Sequence, residues 1–268
     1  DGLPQSLQEY VECQGLTYFK VKVNGDLEND MQRLTAIAAL LDARDVGYKV
    51  TLDGNEQYRD MADFIELVDQ IEAELPHFFR SILYIEQPLE RSVALDPALE
   101  SGIRAMGVRR PMLIDESDEA LDTFSRALDL GYQGVSSKAC KGLVKALANL
   151  ALAQRREGCF LSGEDLMNLP IVPLQQDLTH VAALGINHVE RNGHHYVRGL
   201  QHLSPAERAE CLVHHSTLYT DHDGLVALNV QSGEIEVGSL QVPGLGVGVS
   251  VDVDEMVPLG EWTFASLA

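Results

Sequence analysis

Three acidic residues, Asp53, Glu86 and Asp115, each end a short run of apolar and β-branched residues. These runs are residues 48–53, 82–86 and 112–115, and we predict them to be successive parallel strands. Because neighbouring strands lie about 4.8 Å apart, carboxylates at matching height converge on one point. Like charges at that distance repel one another, and a divalent cation relieves the repulsion. Oxygen ligands alone suit a hard ion, so this pattern predicts a Mg²⁺ site.

Three lysines carry the second candidate chemistry. Lys20 and Lys22 are separated by one residue in the predicted strand 18–23 and therefore share one face of it. Two inward lysines are costly without a role, and each should lower the pKa of the other, so that a neutral amine becomes accessible near pH 7. Lys138 ends a strand four places later, which is half the circumference of an eight-stranded barrel. We expect Lys138 to face Lys22 across the mouth, and Lys141 to be an exposed residue at a helix start.

The elements that position these residues alternate between strands and helices, which predicts βαβ units and a parallel sheet. The polar residues at the predicted strand ends recur every 23 to 33 residues, and this near-equal spacing favours a barrel whose site lies at the carboxyl ends of its strands. A doubly wound sheet would need a glycine-rich phosphate turn after the first strand, and none is present. The strand-end residues are Lys22, Asp53, Glu86, Asp115, Lys138, Glu164 and Glu190. The predicted helices span residues 5–14, 29–45, 59–75, 91–106, 118–130, 142–156, 172–184 and 204–216.

The strand count predicts how the chain divides. Only seven strands are found where a closed barrel of this type needs about eight, and helix 5–14 should follow a missing first strand. We therefore expect the chain to begin inside a larger protein. Residues 1–193 are predicted to form the barrel. Residues 194–268, which include a Gly/Val-rich stretch, are predicted to form an extension that packs on it.

A string of ordered motifs resembles the enolase superfamily, closest to the muconate-lactonizing branch of its mandelate racemase/muconate lactonizing enzyme group. The motifs are Lys20-Val21-Lys22, Asp53-Gly54-Asn55, Glu86-Gln87-Pro88, Asp115-Glu116-Ser117 and Lys138, and residues 243–247 (PGLGV) are similar to the closing motif of that family. The resemblance implies a TIM-like (β/α)7β barrel of the α/β class, with the N-terminal α+β capping domain and the first strand absent from this chain. It further implies that Mg²⁺ is bound by Asp53, Glu86 and Asp115, that Lys22 and Lys138 are the acid/base pair assisted by Lys20, and that Asn55, Glu116 and Glu164 support them.

The same resemblance implies the class of reaction. The enzyme would remove the proton α to a substrate carboxylate through a metal-stabilised enediolate. Lysines on opposite faces permit racemisation, epimerisation or cycloisomerisation. They also permit β-elimination, as in an acid-sugar dehydratase, and a catalytically silent binding barrel is a further alternative. The His-Asp dyad of the mandelate-racemase branch is missing, because Gly163-Glu164-Asp165 and Glu190-Arg191 stand at those strand ends. The particular reaction therefore stays open.

Composition limits the partners and the location. The chain has 268 residues with 41 acidic and 20 basic side chains, and a net charge of −21 repels nucleic acids and anionic membranes. No apolar run approaches the roughly 20 residues of a membrane span. The four cysteines show no zinc or Cys-x-x-Cys spacing, which indicates buried, reduced thiols in the cytoplasm. We expect a cytoplasmic homo-oligomer that acts on a small carboxylate, with surface histidine doublets at 194–195 and 214–215.

Overall fold

A seven-stranded parallel sheet is the centre of the molecule. The computed structural model describes residues 4–164, 169–191 and 197–267. The seven strands lie side by side in chain order, each parallel to the next. They are β1 (Tyr18–Lys22), β2 (Lys49–Asp53), β3 (Ile82–Glu86), β4 (Met112–Ile114), β5 (Gly134–Ser137), β6 (Phe160–Glu164) and β7 (Val189–Glu190). The predicted α/β barrel is therefore confirmed.

The sheet curls into a nearly closed barrel. The first and last strands are not paired through their backbones, yet their side chains meet: the rings of Tyr18 and His188 stack with centroids 5.6 Å apart. Lys20 on β1 also reaches Glu190 on β7, with 2.5 Å between Nζ and Oε2. The barrel thus closes through side chains where backbone hydrogen bonds are missing.

Helices cover the outside of the sheet, and several begin at strong caps. The side chains of Ser6 and Ser204 each accept a hydrogen bond from the backbone N–H three residues on. The side chains of Glu9 and Glu207 accept one from the backbone N–H of Ser6 and Ser204, which completes a capping box at two helix starts. The helices of the described residues are α1 (Leu7–Gln14), α2 (Leu27–Asp42), α3 (Met61–Glu74), α4 (Pro76–Ser81), α5 (Glu100–Arg109), α6 (Thr123–Leu130), α7 (Leu143–Gln154), α8 (Val172–Ala183) and α9 (Pro205–His214).

Two of the predicted helices begin later than the apolar pattern indicates. Helix 91–106 is replaced by turns up to Asp96, a 3₁₀ turn at Pro97–Leu99, and α5 only from Glu100. Proline lacks a backbone N–H and clashes with the preceding helical turn, so Pro97 can start a helix but not continue one. Helix 118–130 begins only at Thr123, because Asp118 is drawn into the loop after β4, where its N–H bonds to the carbonyl of Asp115.

The buried apolar side chains form two clusters. The larger one packs α2 and α3 against the barrel, with Leu34, Leu41, Phe64 and Ile71 fully buried. Full burial of each such side chain stabilises the fold by roughly 1.5–3 kcal/mol. The smaller cluster joins α8 and α9 to two hairpins, formed by β8 (Tyr219–His222) with β9 (Leu225–Leu228) and by β10 (Val230–Gln231) with β11 (Glu234–Ile235). The domain boundary at residue 193 stays a prediction.

Two further sequence predictions concern the chain as a whole. No helix in the described ranges combines the length and apolar character that a membrane span requires. Cys13, Cys140, Cys159 and Cys211 are all free thiols. The expectation that they are buried is right for Cys211 and wrong for Cys13 and Cys140, which are exposed, and Cys159 is half-buried.

Candidate active site

Strand register brings the predicted carboxylates to one level. Lys22 on β1 pairs with Asp53 on β2, which in turn pairs with Glu86 on β3. At the other end of the sheet order, Glu164 on β6 pairs with Glu190 on β7. These side chains therefore meet at the carboxyl end of the barrel, as expected from the sequence.

A buried aspartate fixes the end of β1. Asp30 is fully buried and accepts hydrogen bonds from the backbone of Asn24 (2.9 Å) and Gly25 (3.1 Å). It also pairs with Arg33 at 3.0 Å, and Arg33 in turn donates to the carbonyl of Lys22. The backbone that carries Lys22 is therefore held by two side chains of α2.

The loops after β2 and β3 are packed against each other. The N–H of Gly54 donates to the carbonyl of Glu86 at 2.9 Å, and a Cβ at Gly54 would lie 2.5 Å from the Cα of Pro88. Only glycine fits that approach. Asn55 follows with φ +38°; its N–H donates to Asp53 Oδ1 (2.8 Å), and its side chain donates to Glu116 Oε1 (3.2 Å). The predicted supporting residues Asn55 and Glu116 thus contact each other at the rim of the site.

Lys20 lies at the centre of the carboxylates, with a side chain only 9% exposed. Its Nζ lies 2.5 Å from Glu190 Oε2, 2.9 Å from Asp53 Oδ2, 3.0 Å from Glu86 Oε2 and 3.8 Å from Glu164 Oε2. Burial lowers the pKa of Lys20, but these carboxylates raise it by more. The net pKa therefore lies well above the usual value. The expectation of a lowered pKa and of a neutral amine near pH 7 is wrong for Lys20, because attraction by four carboxylates outweighs repulsion by one lysine.

The two predicted acid/base lysines reach different carboxylates. Lys22 is about half exposed, and its Nζ lies 2.7 Å from Asp53 Oδ2. Lys138, whose side chain is 12% exposed, lies 2.7 Å from Asp115 Oδ2 and 2.6 Å from Glu164 Oε2. Burial lowers the pKa of Lys138, but Asp115 and Glu164 raise it above its usual value. Lys22 ends β1 and Lys138 follows β5, four strands further along the sheet, so the two lysines come from separate strands and contact different carboxylates.

Lys141 is a site residue that the sequence analysis missed. It was expected to be exposed, but its side chain is 17% exposed, and its Nζ donates to Asp115 Oδ1 (2.8 Å), Asp115 O (2.7 Å) and Ser136 O (3.1 Å). The cause is a 3₁₀ turn at Ala139–Lys141, since residues three apart in such a turn point the same way. Burial raises the pKa of Asp115, but Lys141 and Lys138 lower it below its usual value.

Three carboxylates could hold a metal ion together. Oxygens of Glu86, Asp115 and Glu164 all lie within 4.8 Å of one another, whereas Asp53 is outside this group and is bound by Lys20 and Lys22. Glu164 was predicted only as a supporting residue. Glu86 is 1% exposed, and its Oε1 has no hydrogen-bond partner. Burial raises the pKa of Glu86, as do Asp53 and Asp115. A buried, unpaired carboxylate oxygen among other carboxylates fits a hard divalent cation.

Some predicted positions lie outside the described residues. Asp165 and the doublet His194-His195 belong to the segments 165–168 and 192–196, which are not among the described ranges. Of the second doublet, His214 ends α9 at the surface. The prediction is wrong for His215, which is fully buried, with Nε2 2.8 Å from the carbonyl of Val247. His215 therefore helps to hold the PGLGV segment.

Solved structures with the same fold come from longer proteins. O-succinylbenzoate synthase from Thermosynechococcus elongatus BP-1, solved in complex with Mg in its active site, is 23% identical with a TM-score of 0.50, over 68% of this chain and 54% of that one. A mandelate racemase/muconate lactonizing enzyme from Roseovarius nubinhibens ISM is 19% identical with a TM-score of 0.51, over 90% and 60%. An enolase from Streptomyces coelicolor is 19% identical with a TM-score of 0.57, over 91% and 54%. The chain thus spans between half and three fifths of the length of these proteins, and the likeness concerns the fold.

The family follows from the sequence itself. A search of curated proteins finds no significant match. The family model described as Enolase C-terminal domain-like matches residues 3–257, which is nearly the whole chain. That range contains every motif on which the resemblance rests and the whole carboxylate and lysine cluster. The chain therefore belongs to the Enolase C-terminal domain-like family of the enolase superfamily.

Proposed function

We propose that this protein removes the proton α to the carboxylate of a small substrate, with Mg²⁺ bound by acidic residues of the barrel mouth and with Lys22 and Lys138 as the acid/base pair. The observation that carries the proposal is the contact of each lysine with a different candidate ligand. Lys22 Nζ lies 2.7 Å from Asp53, and Lys138 Nζ lies 2.7 Å from Asp115. Acid/base groups and candidate metal ligands are thus within one hydrogen bond of each other.

Asp53, Glu86 and Asp115 would hold the cation, with Glu164 as a further candidate ligand. A divalent cation there would supply positive charge against the negative charge that develops on a substrate carboxylate when its α-proton leaves. Lys138 stays protonated at neutral pH while Asp115 and Glu164 hold it, so in that state it is suited to donate a proton. Lys22 is the more exposed amine and is the better placed of the two to meet an entering substrate.

We favour racemisation, epimerisation or cycloisomerisation, with the two lysines as the acid/base pair. Support comes from the separate origins of the lysines: Lys22 ends β1, whereas Lys138 follows β5. A proton could be removed by one lysine and returned by the other on the opposite face. A small carboxylate also suits a site with four lysine ammonium groups, although the chain as a whole is acidic.

Proton exchange in D₂O tests the proposal whichever product the enzyme forms. Small carboxylates with an α-proton, such as 2-hydroxy acids and N-acylamino acids, would be incubated with the protein and Mg²⁺ and followed by ¹H NMR. We expect loss of the α-proton signal for at least one of them. Lys22→Ala and Lys138→Ala should abolish turnover, and one of them should keep exchange on the face that the other lysine serves. The matched control is Lys49→Ala, an exposed lysine at the opposite end of β2, which should leave exchange unchanged.

The outcomes separate the alternatives. Exchange with inversion at the α-carbon indicates racemisation or epimerisation, whereas loss of a β-substituent indicates elimination. A Lys22→Ala/Lys138→Ala double variant that exchanges at the wild-type rate contradicts the proposal. Self-association and cytoplasmic location stay predictions, which light scattering and cell fractionation would measure.

A further inference from the structure

Gln87 lies between two candidate metal ligands, yet no metal-binding or acid/base role falls to it. It follows Glu86 directly and precedes Pro88, in the loop after β3. Its side chain is 1% exposed, and its φ is +33°, a conformation that residues other than glycine seldom adopt. Such a backbone persists only where the surrounding structure holds it, and such residues cluster at functional sites.

The Gln87 amide uses its full hydrogen-bonding capacity on two neighbouring loops. Its Nε2 donates to the carbonyl of Leu89 at 2.7 Å and to Ser117 Oγ at 2.8 Å. Its Oε1 accepts from the N–H of Asp115 at 2.9 Å and from the N–H of Ser117 at 3.3 Å. Two donor hydrogens and two acceptor sites are all that a glutamine amide offers.

The Gln87 backbone extends the same connection. Its N–H donates to the carbonyl of Leu113 on β4 at 2.9 Å, and its carbonyl accepts from the N–H of Glu56 after β2 at 2.9 Å. One residue therefore ties together the loops that carry Asp53, Glu86 and Asp115. Glutamate could not replace it, because a carboxylate oxygen would face the carbonyl of Leu89 without a proton to donate.

We propose that Gln87 is a positioning residue that fixes Asp115 relative to Glu86 and thereby sets the affinity of the site for a divalent cation. This inference rests on the proposed function, because it presumes that these carboxylates bind the cation. Gln87 itself touches neither metal nor substrate. Hydrogen-bond partners behind metal ligands typically contribute 10- to 100-fold to metal affinity.

Calorimetric titration of the protein with Mg²⁺ alone tests this, and Mn²⁺ followed by electron paramagnetic resonance gives a second readout. Gln87→Met keeps the length of the side chain and removes its four hydrogen bonds, so the dissociation constant should rise 10- to 100-fold. Ser117→Ala removes one of those bonds, and a rise of about threefold is expected. Combined with Gln87→Met, it should add nothing, because the two residues act through one network.

Two controls separate positioning from general loss of stability. Leu41→Ala, in the core on α2, lowers stability without touching these loops and should leave the Mg²⁺ dissociation constant unchanged. Gln70→Met removes a glutamine side chain from α3 that donates to the nearby Glu74, and should also have no effect.

The results distinguish failure of this inference from failure of the proposed function. A wild-type protein that binds no Mg²⁺ overturns both. A wild-type protein that binds Mg²⁺, with a folded Gln87→Met variant of equal affinity, overturns only the role of Gln87. If Gln87→Met does not fold, Ser117→Ala decides: an unchanged dissociation constant there overturns the inference as well.

Discussion

Removal of the Lys20 ammonium group should destabilise the metal-free protein strongly. Lys20→Met keeps the apolar stem of the side chain but leaves Asp53, Glu86 and Glu190 without the cation that lies within 3.0 Å of each. Loss of one partner from a buried ion pair typically costs about 3–5 kcal/mol. Asp53 and Glu86 are each only 1% exposed, so water cannot replace the lost contact. A domain of this size loses roughly 2–4 °C of melting temperature per kcal/mol, so we expect a fall of roughly 6–20 °C.

The same substitution should strengthen metal binding. Lys20 and a divalent cation would compete for the same carboxylate oxygens, so Lys20→Met should bind Mg²⁺ at least about tenfold more tightly, which corresponds to about 1.4 kcal/mol. Mg²⁺ at 100 times its dissociation constant should then restore about 2.7 kcal/mol of the lost stability. Differential scanning calorimetry in EDTA and in Mg²⁺, together with isothermal titration, measures both effects.

A matched control and a clear contrary result complete this test. Lys49→Met, at an exposed lysine on β2, should change stability by no more than about 0.5 kcal/mol. If Lys20→Met in EDTA melts within 2 °C of the wild type, the central ion cluster does not stabilise the fold as the contacts indicate. Unchanged Mg²⁺ affinity in that variant would show that Lys20 and the cation do not share ligands.

Three further predictions concern single residues of the site. Asp53→Asn and Glu164→Gln compare the two candidate third ligands by Mg²⁺ calorimetry: the larger loss of affinity identifies the ligand, and if neither changes affinity the cation is bound elsewhere. Lys141→Met leaves Asp115 with one lysine partner, so the pKa of Asp115 should rise towards its usual value. NMR titration of the metal-free protein measures this pKa, and an unchanged pKa refutes the assigned contact. Gly54→Ala places a Cβ 2.5 Å from the Cα of Pro88. It should lower the free energy of unfolding, measured in urea, by about 1–3 kcal/mol. A stability equal to that of the wild type would show that the loops after β2 and β3 can move apart.

The convergence of the site could be predicted because it depends on strand periodicity. Asp53, Glu86 and Asp115 end regular apolar runs, and parallel strands fix the height at which such residues meet. Contacts that depend on turns could not be predicted in the same way. Lys141 reaches Asp115 only through a 3₁₀ turn, and Gln87 reaches it only through a loop with positive φ.

The pKa of Lys20 shows a different limit of sequence reasoning. Its neighbour Lys22 is visible two residues away, whereas Glu164 and Glu190 come from strands far along the chain and meet Lys20 only when the barrel curls. Local spacing therefore predicted repulsion where the folded structure provides attraction. The prediction of where α5 and α6 begin was wrong for a simpler reason. The apolar periodicity continues upstream of Glu100 and Thr123, through residues that Pro97 and the loop after β4 exclude from a helix.

The chain order of the strands has a consequence for how the protein folds. Each strand pairs with the next one along the sequence, so the sheet can grow one βα step at a time without distant segments having to find each other. Closure is different, because Lys20 and Glu190 are separated by 170 residues. We therefore expect the Lys20–Glu190 contact to form late, after the folding transition state. Lys20→Met should then accelerate unfolding far more than it slows folding. The ion cluster would thus slow the unfolding of a barrel that assembles strand by strand.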